Sequence, residues 1–183
     1  MLDEPLTVAL LRTQLSEWYH SRRRELPWRE DPSPYRVWVS EIMLQQTQVA
    51  TVIPYFERFI AAFPSIEALA LADEDSVTAQ WAGLGYYRRC RHLHQAAKRV
   101  VDVHHGALPQ TVDDLLSLPG IGRYTAGAIA SIAFGVRAPV LDGNVARVLS
   151  RLMALDLEVD SGPGKRALWA AADSLVDPHD PSS

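Results

Sequence analysis

The sequence predicts an all-α fold, and three features carry that prediction. Apolar residues recur at helical spacing in one segment after another, and no run alternates with a period of two. Between these segments lie Pro, Gly and Ser/Thr/Asp signals that stop and start helices. With 183 residues, 48% of them hydrophobic, the chain holds enough apolar surface for a substantial core. No apolar run approaches the roughly 20 residues of a membrane span, and the opening MLDEPLTVALL carries acids where a signal peptide carries positive charge. The expectation is a cytoplasmic protein with no membrane partner. One cysteine, Cys90, excludes an internal disulfide framework and a multi-cysteine metal site.

In chain order, Val8, Leu11, Leu15 and Trp18 mark an amphipathic helix over residues 6–19. Leu26-Pro27-Trp28 and Asp31-Pro32-Ser33-Pro34 read as a loop. A helix follows over 35–46, with Trp38, Val39, Ile42 and Met43 inward and Glu41 between them, and another starts near Thr47. Ser65 caps a short helix over 66–71, and the next begins at Ser76. Gly83-Leu84-Gly85 interrupts it, and 86–103 reads as a long basic helix. Thr111 and Asp114 form a capping box for 112–118. Leu118-Pro119-Gly120-Ile121-Gly122 is a tight hairpin feeding a helix of small residues over 124–134. Residues 140–144 turn into a helix over 145–154, and the last helix spans 165–176.

The net charge of −4 is uninformative, because the charge is unevenly placed. Of 18 basic residues only Lys98 and Lys165 are lysine, and seven arginines fall in two clusters, Arg22-Arg23-Arg24 with Arg29, and Arg88-Arg89 with Arg91. Arginine's planar fork suits phosphate, although from charge alone solvated helix ends are the simpler reading. In the hairpin, Pro119 fixes φ before two glycines, so the following helix presents backbone N–H groups to a phosphate oxygen; a plain helix–helix turn has the same sequence. Glu41 among apolar neighbours would have a raised pKa and could serve as a general acid; alone, Ser40-Glu41 also fits a solvated stripe. Asp142 reads as an N-cap, and cap donors also favour a carboxylate's charged form. One protonated and one charged acid is the pair that glycosyl cleavage requires. His92, His94, His104 and His105 lack partners at metal-ligand spacing and read as surface or backbone-contacting residues. Cys90, among arginines, could have a lowered pKa.

Five blocks then form a joint pattern. Leu26-Pro27-Trp28-Arg29, Val39-Ser40-Glu41-Ile42-Met43-Leu44-Gln45-Gln46-Thr47-Gln48-Val49, Trp81-Ala82-Gly83-Leu84-Gly85-Tyr86-Tyr87-Arg88, Leu118-Pro119-Gly120-Ile121-Gly122-Arg123-Tyr124-Thr125-Ala126 and Val140-Leu141-Asp142-Gly143-Asn144-Val145-Ala146-Arg147-Val148 resemble the MutY-type adenine DNA glycosylases, within the helix-hairpin-helix glycosylase superfamily. The blocks come in the family's order and reach from residue 6 to about 176. The resemblance implies a two-lobed fold, with a six-helix barrel over 28–135 and a second, incomplete helical lobe from 1–27 and 136–183. It implies a monomer acting in base excision repair near the nucleoid, on double-stranded DNA carrying adenine opposite 8-oxoguanine or guanine. By position Glu41 matches the acid that protonates adenine N7 and Asp142 the carboxylate that stabilises the cationic sugar, with Tyr124 and Asn144 in support. Gln46 and Tyr86 match side chains wedged into the duplex, and Thr47 and Leu84 match contacts to 8-oxoguanine. Arg29, Gly85 and the hairpin residues Gly120, Ile121 and Gly122, with Tyr124, complete the expected DNA-contacting set. Tyr124 stands where strand-cutting relatives carry a Schiff-base lysine, which implies a monofunctional enzyme with water as acceptor. A T:G or U:G mismatch glycosylase of the same superfamily and a non-catalytic DNA-binding fragment are the alternatives. The family's 4Fe-4S cluster would need cysteines beyond residue 183, so no cofactor and no metal are expected on this chain. Without that segment, Leu168, Trp169 and Leu175 are expected to lie uncovered.

Overall fold

The computed structural model describes residues 5–182, and among them there are eleven helices and no strand. Helix α1 (Pro5–Arg22) leads to α2 (Pro27–Glu30), α3 (Pro34–Leu44), α4 (Val49–Ala62), α5 (Ile66–Leu71) and α6 (Glu74–Trp81). The long α7 (Tyr87–His104) precedes α8 (Val112–Leu116), α9 (Arg123–Phe134), α10 (Gly143–Leu152) and α11 (Gly162–Leu175). Local chemistry sets many of these starts. Ser65, Asp73, Thr111, Asp142 and Ser161 each accept a backbone N–H in the first turn of the helix they cap. The acidic run at 73–75 is therefore the cap and first turn of α6, which starts two residues before Ser76.

Two apolar clusters organise the chain. The larger runs from Leu26 to Ala138 and centres on Trp38, Phe56, Phe59 and Trp81; the smaller joins Ala146 and Leu149 of α10 to Leu168, Ala171 and Ala172 of α11. Helix α3 lies in the middle of the larger cluster, packed on α4, α7 and α9, and buries eight consecutive-face and cross-face side chains including Glu41. Helix α9 approaches it closely because Thr125 through Ser131, all buried, are small residues apart from Ile129. Helix α1 rests on α11, where Arg12 Nε donates to the Ser174 carbonyl at 3.1 Å.

Several expectations change. Residues 27–30 form a helical turn because Pro27 occupies its first position, where a missing N–H costs nothing. Helix α3 ends at Leu44 and α4 begins at Val49, because Gln46 adopts a left-handed backbone, φ 57°. The N-terminal helix forms, yet Leu15 and Trp18 are 51% and 63% exposed, so only Val8 of its expected apolar stripe is buried. Leu168 is buried within the smaller cluster, Leu175 packs partly buried against it, and Trp169 lies under the Arg123 guanidinium, 3.7 Å from its ring centroid, so none of the three is left uncovered. Among the described residues no helix is long and apolar enough to cross a membrane.

The α9 approach depends on Gly127, where an added Cβ would sit 2.5 Å from the Pro139 carbonyl oxygen. Gly127→Ala is expected to lower stability by about 1–3 kcal/mol through overpacking against backbone. Gly143→Ala, with nothing within 4 Å of the added carbon, serves as the neutral control in a urea titration.

Candidate active site

Glu41 is 9% exposed, inside a helix whose neighbouring positions are apolar. Burial pushes its carboxyl up to about 7, against a lowering influence from the Arg29 guanidinium. The charge of Asp142 adds to the rise, and a hydrogen bond with Tyr124 opposes it. Four residues from four elements thus meet electrically at one carboxyl group: α2 supplies Arg29, α3 Glu41, α9 Tyr124 and the α10 cap Asp142. Burial and the two neighbouring carboxylates hold the Tyr124 phenol well above its ordinary range, so it acts as a neutral donor. A cavity of about 360 Å³, within the range of small-ligand pockets, opens over Glu41. Tyr19, Arg24, Trp28, Arg29 and Tyr124 share its walls.

Asp142 is oriented by its own turn. Its Oδ1 accepts from the Asn144 N–H at 2.9 Å and the Val145 N–H at 2.7 Å, and its Oδ2 from Asn144 Nδ2 at 3.3 Å. Asn144 therefore fixes Asp142 twice. Asp142 lines a separate depression with Arg147, Lys165 and Trp169.

The hairpin forms beside this site. The Ile121 N–H donates to the Leu118 carbonyl at 3.3 Å, and Gly120 takes φ +78°. A Cβ at Gly120 would also stand 2.7 Å from the His92 Cβ, so both backbone freedom and space require glycine. Gly122, by contrast, is extended and caps α9 without a side chain, leaving the first N–H groups of α9 to an outside acceptor. Ile121 and Leu84 are buried, each 6% exposed, and belong to the larger apolar cluster. Gln46 and Tyr86 both take left-handed backbone, at φ 57° and 50°, and both are exposed. They flank a further depression together with Gln45, Arg88, His92 and Gly120. Thr47 and Gly85 sit half-buried next to them.

Three residues depart from the reading of the sequence. Burial pushes the Cys90 thiol up to about 11, so the surrounding arginines do not activate it. His94 is 3% exposed on the inner face of α7, where burial lowers its basicity; it is a core residue. Arg89 is buried rather than solvated, and its guanidinium meets backbone carbonyls. The signal was present: Arg89, Leu93, Ala97 and Val100 share the inner stripe of α7 at spacings of four and three. A four-cysteine cluster does not fit these residues, since the single thiol is enclosed between α6 and α7, and among the described residues no three His, Cys, Asp or Glu side chains are placed to hold a metal.

Residues 39–169 match the model of the HhH-GPD superfamily of base excision DNA repair proteins. The chain is 48% identical to the human adenine DNA glycosylase, over 95% of this chain and 34% of the relative. Against the adenine DNA glycosylase of Buchnera aphidicola subsp. Baizongia pistaciae the identity is 41%, over 93% of this chain and 48% of the relative. The chain thus spans between a third and a half of the length of these relatives. Among solved structures, a thermostable thymine-DNA glycosylase superposes with a TM-score of 0.85 at 25% identity, covering 95% of this chain and 80% of that one. A non-covalent endonuclease III–DNA complex shares the fold, with a TM-score of 0.79 at 20% identity, covering 98% and 81%. By sequence and by fold, the chain belongs to the HhH-GPD superfamily of base excision DNA repair proteins.

Proposed function

We propose that this chain is the catalytic core of a monofunctional adenine DNA glycosylase, acting as a monomer on double-stranded DNA that carries adenine opposite 8-oxoguanine or guanine. The observation that supports it most is the Glu41 carboxyl, buried, pushed up to about 7, and coupled to Tyr124 and Asp142. Near neutral pH such a group holds a proton and can give it away. Glu41 transfers that proton to N7 of an adenine turned out of the stack into the cavity above it. The N-glycosidic bond then breaks with its electron pair passing to the base, and positive charge develops on the sugar. The Asp142 carboxylate, held by Asn144 and Val145, faces that charge. Water adds to the sugar carbon and its proton returns to the Glu41 carboxylate. Lys98 and Lys165 both lie outside the hairpin, and Tyr124 offers no amine for a covalent imine. The hairpin and the open start of α9 grip a phosphate without reading sequence. No step passes through a metal cluster.

The superposition on a thymine-DNA glycosylase favours one competing reading, a T:G or U:G mismatch enzyme. Base release from A:8-oxoguanine, A:G, T:G and U:G duplexes, followed by alkali to cut abasic sites, decides between them. Preference for a pyrimidine would overturn the adenine assignment. Duplex binding with no release from any of them would leave a DNA-binding fragment.

Glu41→Gln is expected to lower single-turnover adenine release by about 10²–10⁴-fold while duplex affinity persists. In the parent, release falls as pH rises past about 7, because the acid loses its proton; a rate that rises through pH 7 to 9 would contradict the role. Asp142→Asn should abolish release but keep the fold, since asparagine caps a helix as well as aspartate does. A linked stability effect follows from the raised folded-state pKa. The protonated Glu41 is favoured by the fold, so its contribution is full below the ordinary value of 4.5 and is lost as pH rises to about 7. Glu41→Gln should therefore be the more stable protein at pH 8, by up to about 3 kcal/mol, and nearly equal to the parent at pH 4.

A further inference from the structure

We infer that Arg89 is a positioning residue that fastens the Gln46 turn and the Tyr86 turn into one rigid wedge. The inference rests on the glycosylase reading above and deepens it.

Five acceptors surround the Arg89 guanidinium. Nη1 donates to the carbonyls of Ile42 at 3.1 Å, Met43 at 2.8 Å and Gln45. Nη2 donates to Thr47 Oγ1 at 3.1 Å and to the Gly85 carbonyl at 3.3 Å. The first four belong to the end of α3 and the turn after it; the fifth belongs to the turn before α7. Gln46 lies between two of these acceptors in sequence, and Tyr86 follows the fifth directly. The Tyr86 ring also lies over the guanidinium at 5.2 Å, with the Trp81 ring at 5.5 Å, and Trp81 Nε1 donates to the same Gly85 carbonyl at 3.0 Å.

This arrangement answers two physical problems. Non-glycine residues in the left-handed region need surroundings that hold them there, and two such residues, Gln46 and Tyr86, border the same depression. A buried cation also needs compensation, and Arg89 meets no carboxylate among the described residues. The carbonyls at the end of α3 that lack an intrahelical partner supply it, carrying the negative end of that helix's dipole. A lysine ammonium could not span both turns, because its three donors leave one point. An enzyme that turns a base out of a duplex must fill the gap with groups that do not yield to restacking. Separate loops would give way; a shared anchor prevents that.

The full chain tests this with a duplex in which 2-aminopurine flanks the target adenine opposite 8-oxoguanine, its fluorescence rising on unstacking. At saturating protein the parent should raise the signal, and Arg89→Lys should lose the rise by about tenfold or more. Adenine release from the duplex should fall by about 100-fold in Arg89→Lys. Release from a bubble that already leaves the adenine unpaired should fall by no more than about threefold, since no stacked base must be displaced. Equal losses on duplex and bubble would mark a purely structural residue and overturn the inference, as would an undiminished rise or a parent that produces none. If Arg89→Lys does not fold, Gln46→Ala and Tyr86→Ala decide the matter. In a single wedge either change alone removes nearly all of the rise, whereas losses that multiply in the double variant would overturn it. The fluorescence needs no turnover, so a parent that unstacks the duplex yet releases no base counts against the glycosylase reading alone.

Discussion

The close contact between α3 and α9 fixes most of what this molecule can do. Small residues along α9 let the two helices approach, and Gln45 Nε2 reaches Thr125 Oγ1 at 3.2 Å where they meet. That approach seals Glu41 away from water on one side and sets Tyr124 against it on the other. Because α9 also begins at the hairpin, the same contact sets the spacing between Glu41 and that turn. Helix α10 enters through Asp142 only after residues 136–142 have crossed back over α9 at Gly127. A displaced α9 would therefore shift Tyr124, the hairpin and the Asp142 turn together relative to Glu41.

The electrostatics of Glu41 follow from opposing influences of unequal size. Burial and Asp142 favour the neutral carboxylic acid, while Arg29 and the Tyr124 hydroxyl favour the anion. The balance near 7 leaves the acid protonated often enough to give a proton and weak enough as a base to part with it. Such a site works against the fold at high pH, which is the usual cost of a functional group placed for chemistry rather than for packing. Arg29 is part of the same compromise: it moderates Glu41 without forming an ion pair that would hold it ionised.

Most of the architecture was legible in the sequence. Helix starts were carried by single side chains such as Ser65 and Thr111, whose caps act locally and need no tertiary context. Glu41, Tyr124, Asp142 and Asn144 were legible as candidates, and the structure brings the first three into one electrostatic neighbourhood, with Asn144 holding Asp142. What stayed hidden was set by contacts distant in sequence. Arg89 reads as one arginine of a basic cluster until α3 ends against it, and Trp169 reads as bare until Arg123 covers it. The exposed Leu15 and Trp18 erred the other way, because helical spacing alone does not show whether a partner face is present. The ends of α3 and α4 were misplaced for a backbone reason: nothing in the identity of Gln46 announces a left-handed residue.

The residues proposed for chemical roles also hold the fold, and this sharing has consequences. Asp142 is both the proposed counter-charge and a helix cap, Gly120 both turn and clearance for His92, and Arg89 both the end of α3 and the tie to the turn before α7. A group tied into the backbone this way cannot drift when a charge develops next to it, which is the condition for electrostatic stabilisation to act without reorganisation. Glu41 is the exception. Its carboxyl caps none of the described helices, and its place in the middle of α3 accords with the proposed proton transfer rather than with packing.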